Sequence, residues 1–314
     1  GIGRFDPATG SKLKQDERTF SDAFGQTMCA LAETNPRLCA ITAAMPGGTG
    51  LLDFKQQYRS RLFDVGIAEE HAVSMAGGLA KQGMGPVVAL YSTFLQRAYD
   101  MILQDICMLK LHVVFAIDRA GLVGEDGETH HGIYDVGFLR HAPGLRILAP
   151  ASTAELKRML TWAVEEYDGP VAIRYPRGGN RAYDESAWTP NENDAVITHR
   201  EGRNVTLLTY GVLLENMLSA ADLLAKEGIE AGVLRLTSIA PLPVQKIAER
   251  IPENGLLVVA EEVSDNCGIL QELSYKIQRI RPDCRVKGVA LGCEYVTHGA
   301  LDRLYAEYGL SPER

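Results

Sequence analysis

No apolar run in this 314-residue chain approaches the roughly 20 residues that cross a bilayer as a helix. Its first segment, GIGRFDPATGSK, lacks the apolar centre of a signal peptide and reads as an extended linker that begins mid-protein. Cysteine is sparse: six residues, at 29, 39, 107, 267, 284 and 293, with no CxxC pair. Scattered thiols in apolar runs fit free cysteines in a reducing cytoplasm rather than a disulfide framework or a zinc site. Bases are outnumbered, 32 Lys and Arg against 40 Asp and Glu, for a net charge of -8. That balance argues against nonspecific binding to nucleic acid or an anionic membrane, while leaving room for a local arginine pocket. No GK[ST] follows the glycine-rich loop, so it is not a P-loop, and there is no internal repeat or low-complexity tract.

What is present is ordinary globular material, 46% hydrophobic and 23% charged, long enough for about two domains. Short apolar β-rich runs alternate with helical patterns, which predicts two α/β domains, each a mostly parallel sheet flanked by helices. In the first, strands are expected at 38–43, 62–66, 87–91, 113–118, 145–149 and 171–175. Helices are expected near 19–33, 69–82, 94–109 and 154–166, the last capped from the Pro150–Thr153 segment. The 69–82 helix is rich in Ala and Gly, which predicts close packing on another helix or a second subunit. A polar stretch at 178–194 reads as a linker. Beyond it, strands are expected at 195–199, 205–210, 230–236, 256–261 and 286–291. Leu214, Met217, Leu218, Ala221 and Leu224 mark one face of a helix. The domain boundaries are thus 1–14 linker, 15–177 first domain, 178–194 linker and 195–314 second domain.

Four motifs sit where strands end. FDVGIAEEH (63–71) places Glu69 and Glu70 in the first turn of a helix, where acids suit the dipole. YSTFLQRAYD (91–100) brings Tyr91, Phe94 and, one turn on, Arg97. DRAGLVGEDGETHHG (118–132) is a long glycine-rich loop carrying Arg119, Asp126, His130 and His131. RYPRG (174–178) adds Arg177. Taken singly, each has a plain alternative: a charged helix start, core aromatics, or structural salt bridges from Arg97 to Asp100 or Asp105. A His130–His131 metal pair is disfavoured, because adjacent side chains diverge and no ligand set completes them.

Taken together and in order, these motifs resemble the pyrimidine-binding and C-terminal domains of the 1-deoxy-D-xylulose-5-phosphate synthases, thiamine-diphosphate enzymes of the transketolase superfamily. The resemblance implies a transferase that condenses pyruvate with D-glyceraldehyde 3-phosphate, releasing carbon dioxide, for isoprenoid, thiamine and pyridoxal synthesis. It assigns Glu69 the carboxyl group that shares a proton with the cofactor's aminopyrimidine ring, and Phe94 the ring that stacks on it. Met45, in MPGGTG (45–50), is a further cofactor contact. Asp126 and His130 become catalytic residues at the substrates, a role suited to an imidazole that titrates near neutral pH. Tyr91, Arg97 and His130 line the substrate channel. Arg119 and Arg177 clamp the aldehyde's phosphate, as guanidinium geometry favours.

The family usually places Gln after this glutamate; Glu70 stands there instead and is expected to face solvent. The GDG motif with a following Asn, which binds Mg2+ and the diphosphate in the family's other half, has no counterpart. An N-terminal diphosphate-binding domain or subunit is therefore an expected partner, together with a homodimeric, cytoplasmic assembly. Without that half the chain is expected to be inactive. The alternatives are the C-terminal subunit of a split transketolase moving two-carbon ketol units, or a noncatalytic regulatory paralogue. Glu261, Glu262 and the 265–268 segment offer no catalytic set, so the second domain reads as structural, oligomeric or regulatory.

Overall fold

The computed structural model of the chain describes residues 19–180, 183, 185–190, 195–253 and 255–314. The expected linker at 1–14 lies outside them, as do parts of the one at 178–194. The first sheet contains β1 (Leu38–Thr42), β2 (Leu62–Asp64), β3 (Gly85–Tyr91), β4 (Val114–Asp118), β5 (Arg146–Leu148) and β6 (Val171–Arg174). The second contains β7 (Val196–Arg200), β8 (Val205–Tyr210), β9 (Ala231–Leu236), β11 (Leu256–Ser264) and β12 (Arg285–Leu291). Between β9 and β11 runs β10 (Ser238–Ala240), which the sequence reading missed.

In strand order the sheets run β10-β5-β6-β4-β3-β1-β2 and β12-β11-β8-β9-β7. Among the described strands of these sheets every pairing is parallel except β10 on β5 and β7 on β9. Parallel strands are covered on both faces, so they are apolar throughout rather than alternating with polar residues. In β3, Val88 and Leu90 point into one apolar cluster, while Val87 and Ala89 point into another. The first of these clusters continues through Leu208, Leu234 and Leu236, so the two domains share a core. The antiparallel β10 reinforces this join, because a short strand of the second domain extends the first domain's sheet.

Most boundaries fall within a few residues of expectation. The N-cap is Ser152, whose hydroxyl accepts from Glu155 N and starts the helix Thr153–Glu165. The expected helix 94–109 is a broken path: short turns from Ser92 to Met101, then a π-helical segment Ile102–Cys107. The small-residue helix Glu69–Lys81 packs on that segment, within the same chain. A Cβ on Gly77 would lie 3.1 Å from Ile106 Cδ1 and 3.2 Å from Asp105 O. Asp105, once a candidate partner of Arg97, accepts instead from Ser74 Oγ at 2.5 Å.

Two buried ion pairs lie beneath the site edge and the domain junction. Arg174 reaches Asp135 at 2.8 and 3.2 Å. Arg235 of β9 makes a two-pronged contact with Glu155 at 2.7 and 2.9 Å, both side chains fully buried. Bidentate geometry and a further bond from Ala151 N satisfy the carboxylate where water cannot.

Candidate active site

The carboxyl ends of β2, β3, β4 and β6 meet at one edge of the first sheet, the edge at which open α/β sheets receive ligands. After β2 the chain turns at Gly66, with φ of +73°, and enters the helix Glu69–Lys81. Asp64 Oδ1 fastens this turn to the loop after β1 by accepting from Ala44 N and Gly66 N. The entry puts Glu69 inside and Glu70 outside. Glu69 is 2% exposed, and its Oε1 accepts from Arg97 Nη1 at 2.9 Å. Its Oε2 is buried and has no hydrogen-bond partner among the described residues. A buried, half-satisfied carboxylate is costly. It suits a ligand nitrogen able to share a proton.

Beside it, Tyr91 and Phe94 stack with ring centroids 5.8 Å apart and planes 15° from parallel. His130 meets both rings edge-on, at 5.4 Å from Phe94 and 6.4 Å from Tyr91. Its Nδ1 is 2.9 Å from Thr129 Oγ1. The Arg97 guanidinium lies 5.3 Å from the centre of the Phe94 ring. These aromatics thus adjoin the Glu69–Arg97 pair rather than the core.

Arg119 closes β4 with φ of +59°, a conformation rare outside glycine and consistent with strain held at a functional edge. Its backbone is fixed by Asp118 Oδ1, which accepts from Arg119 N at 2.7 Å. The side chain lies 4.0 Å over the Tyr91 ring and donates to Gly48 O at 2.7 Å. Arg119 Nε is buried with no hydrogen bond among the described residues, 3.8 Å from Asp126 Oδ2. Arg177, from the end of β6, reaches the same Oδ2 at 3.0 Å. One aspartate therefore holds side by side the two arginines that the sequence left 58 positions apart. Met45 stands apart from this array. It packs half-buried against the main core, and only its loop joins the site, through Gly48 O and the contact of Gly48 with Tyr91.

Burial sets the electrostatics beneath. It pushes the Asp118 carboxyl up to about 6, partly offset by Arg119 and by the Ser21 hydroxyl at 2.7 Å. It also raises the Tyr91 phenol, against the pull of Arg119. Burial lowers the His131 imidazole, which points away from His130 toward the second domain. No cluster of three or more His, Cys, Asp or Glu side chains is placed to hold a metal among the described residues.

Sequence reading missed Asp118 and Ser21 beneath Arg119, and it missed the reach of the second domain. β11 runs on to Ser264, so Glu261 and Glu262 lie within a strand and face opposite ways. Glu261 accepts from Ile269 N, Leu270 N and Tyr210 OH. Glu262 accepts from Leu122 N, in the glycine-rich loop, at 2.8 Å. The acidic doublet after an apolar run was the one available signal.

A doubly covered parallel sheet gathers a buried glutamate, an aromatic pair and paired arginines at its carboxyl edge, which defines an α/β protein with a ligand site at the strand ends. The pyrimidine-binding domain model of transketolase matches residues 16–181, the transketolase C-terminal domain model matches 194–314, and the chain belongs to the transketolase family. It is 44% identical over 319 aligned positions to the 1-deoxy-D-xylulose-5-phosphate synthase of Desulforudis audaxviator, covering 100% of this chain and 50% of that one. It is 42% identical to the enzyme of the same name from Heliobacterium modesticaldum, covering 99% and 48%. The chain thus spans about half the length of these relatives. Among solved structures, a split-gene transketolase described as an inactive beta4 tetramer superposes with a TM-score of 0.78 at 27% identity, covering 94% of both chains. The Campylobacter jejuni transketolase, at 18% identity and a TM-score of 0.78, shares the fold over 96% of this chain and 46% of its own.

Proposed function

We propose that this chain is the pyrimidine-binding and C-terminal part of a synthase joining pyruvate and D-glyceraldehyde 3-phosphate into 1-deoxy-D-xylulose 5-phosphate, with loss of carbon dioxide. The observation that carries the reading is Glu69, buried with one oxygen on Arg97 and the other open. These residues fit the pyrimidine end of thiamine diphosphate, with Glu69 Oε2 toward the ring nitrogen and Phe94 against the ring. Bound there, that cofactor would supply a nucleophilic carbon and the electron sink that decarboxylation requires.

Glu69 holds the proton at the pyrimidine nitrogen, and Arg97 fixes which of its oxygens does so. Arg119 and Arg177, held side by side by Asp126, take the aldehyde's phosphate. Asp126 and His130 then face the reacting carbons and move protons there. Tyr91 walls the channel and keeps water from it. The loop that begins at Met45 borders the cofactor. The diphosphate and its Mg2+ belong to a second half, as a domain or a subunit. Exposed Ile67, two residues before Glu69, supports assembly into a homodimer, which we place in the cytoplasm.

The test is release of carbon dioxide from pyruvate by this chain together with its diphosphate-binding half, dependent on glyceraldehyde 3-phosphate. A second reading, the C-terminal subunit of a split transketolase, draws support from the split-gene structure that matches this chain nearly end to end. It requires a ketose donor and no carbon dioxide release.

A further inference from the structure

The loop from Gly121 to Gly132 carries Asp126 and His130, yet half of what holds it comes from the second domain. At its base, Gly121 and Gly132 exchange two backbone hydrogen bonds of 2.8 Å. Above that base, Glu262 Oε1 accepts from Leu122 N at 2.8 Å and from Tyr305 OH at 3.0 Å. Gly121 sits directly on this carboxylate, with φ of +84°, and a Cβ there would fall 2.6 Å from Glu262 Cδ. His131 Nδ1 accepts from Val123 N at 3.1 Å, and its Nε2 lies 3.2 Å from Thr297 O. Gly299 N reaches Gly124 O at 3.4 Å. The second domain thus grips the loop just before Asp126 and again just after His130.

The geometry points to Glu262 as a positioning residue for the phosphate clamp. Through Leu122 it sets where the loop presents Asp126 to Arg119 and Arg177, so the second domain governs capture of the phosphorylated substrate. This rests on the function proposed above, in that the arginines receive a phosphate. Glu262 touches no reacting group. A buried acceptor that serves a backbone N–H and a tyrosine hydroxyl orders a loop that glycines leave otherwise free.

Two readouts on the chain assembled with its diphosphate-binding half test this. Glu262→Ala is expected to speed hydrogen exchange of the 122–131 amides roughly tenfold or more, and to raise the Michaelis constant of the aldehyde phosphate about tenfold relative to that of pyruvate. Glu262→Gln keeps the accepting oxygen and should restore both. Tyr305→Phe removes one donor and no charge. It should give the same pattern at smaller amplitude, and it covers the case in which Glu262→Ala does not fold. Unchanged loop exchange in both Glu262→Ala and Tyr305→Phe overturns the proposal, as does a parallel rise in both Michaelis constants. If the wild-type assembly makes no product, the proposed function fails while the exchange data still decide the role of Glu262.

Discussion

Arg97 holds one oxygen of Glu69 at 2.9 Å and leaves the other, buried, with no partner among the described residues. The two carboxylate oxygens are thereby given different work. One is neutralised and oriented from a half-exposed guanidinium; the other is kept dry and open. Removing the open oxygen's basicity should cost the proton transfer and little else. Glu69→Gln is therefore expected to fold as wild type and to slow exchange of the C2 proton of bound thiamine diphosphate by roughly a hundredfold or more. NMR of acid-quenched samples of the assembled enzyme measures this. Wild-type exchange in the variant would remove Glu69 from its role.

The two arginines on Asp126 give a second prediction. Arg119→Ala and Arg177→Ala should each raise the Michaelis constant for glyceraldehyde 3-phosphate far more than that for pyruvate. Loss of one charge-assisted contact is worth about 1.5–3 kcal/mol, or roughly ten- to a hundredfold. Steady-state kinetics with the unphosphorylated aldehyde provides the control. Equal losses with both aldehydes would make the arginines structural.

The Glu155–Arg235 pair predicts stability rather than rate. Both ends are fully buried, so removing either leaves an uncompensated charge in the core. Arg235→Met alone, or Glu155→Gln alone, should cost about 3–5 kcal/mol, and the double substitution less than the sum. Urea unfolding monitored by fluorescence reads the difference. A single-variant loss below about 1 kcal/mol would contradict the pairing.

Strand positions were legible because parallel strands are apolar on both faces, as Leu38–Thr42 and Val114–Asp118 illustrate. That Glu69, Phe94, Arg119 and Arg177 gather at one edge was legible too, since each of their motifs closes a strand of the same sheet. What escaped was nonlocal. Ser238–Ala240 is three residues long, and only its partner β5 makes it a strand. The helix expected over 94–109 is instead a run of short turns followed by a π-helical segment whose Asp105 and Ile106 lie close against Gly77, a contact 28 positions away that local periodicity does not show. Glu262 lies 140 positions from Leu122, and no local pattern announces that contact.

Asp118 carries the last prediction. Its carboxyl is fully buried beneath Arg119, and burial outweighs both the arginine and the Ser21 hydroxyl, so its pKa rises from 3.8 to about 6. The folded protein therefore holds this proton more tightly than the unfolded chain does. The stabilisation is complete below about pH 4 and is lost as the pH climbs through about 6, a change on the order of 3 kcal/mol. Asp118→Asn keeps an acceptor for Arg119 N and cannot ionise, so it lacks this loss. Relative to wild type, its urea midpoint should rise between about pH 4.5 and about pH 7.5, with the other titrating groups cancelling in the comparison. The gain at neutral pH comes at the site's expense. The ion pair to Arg119 Nη1, 3.0 Å long, disappears, and a left-handed arginine loses the charge that orients it. A variant no more stable at neutral pH than at acid pH, relative to wild type, would mean that Asp118 is ionised at little cost. Its pairing with Arg119 would then outweigh its burial.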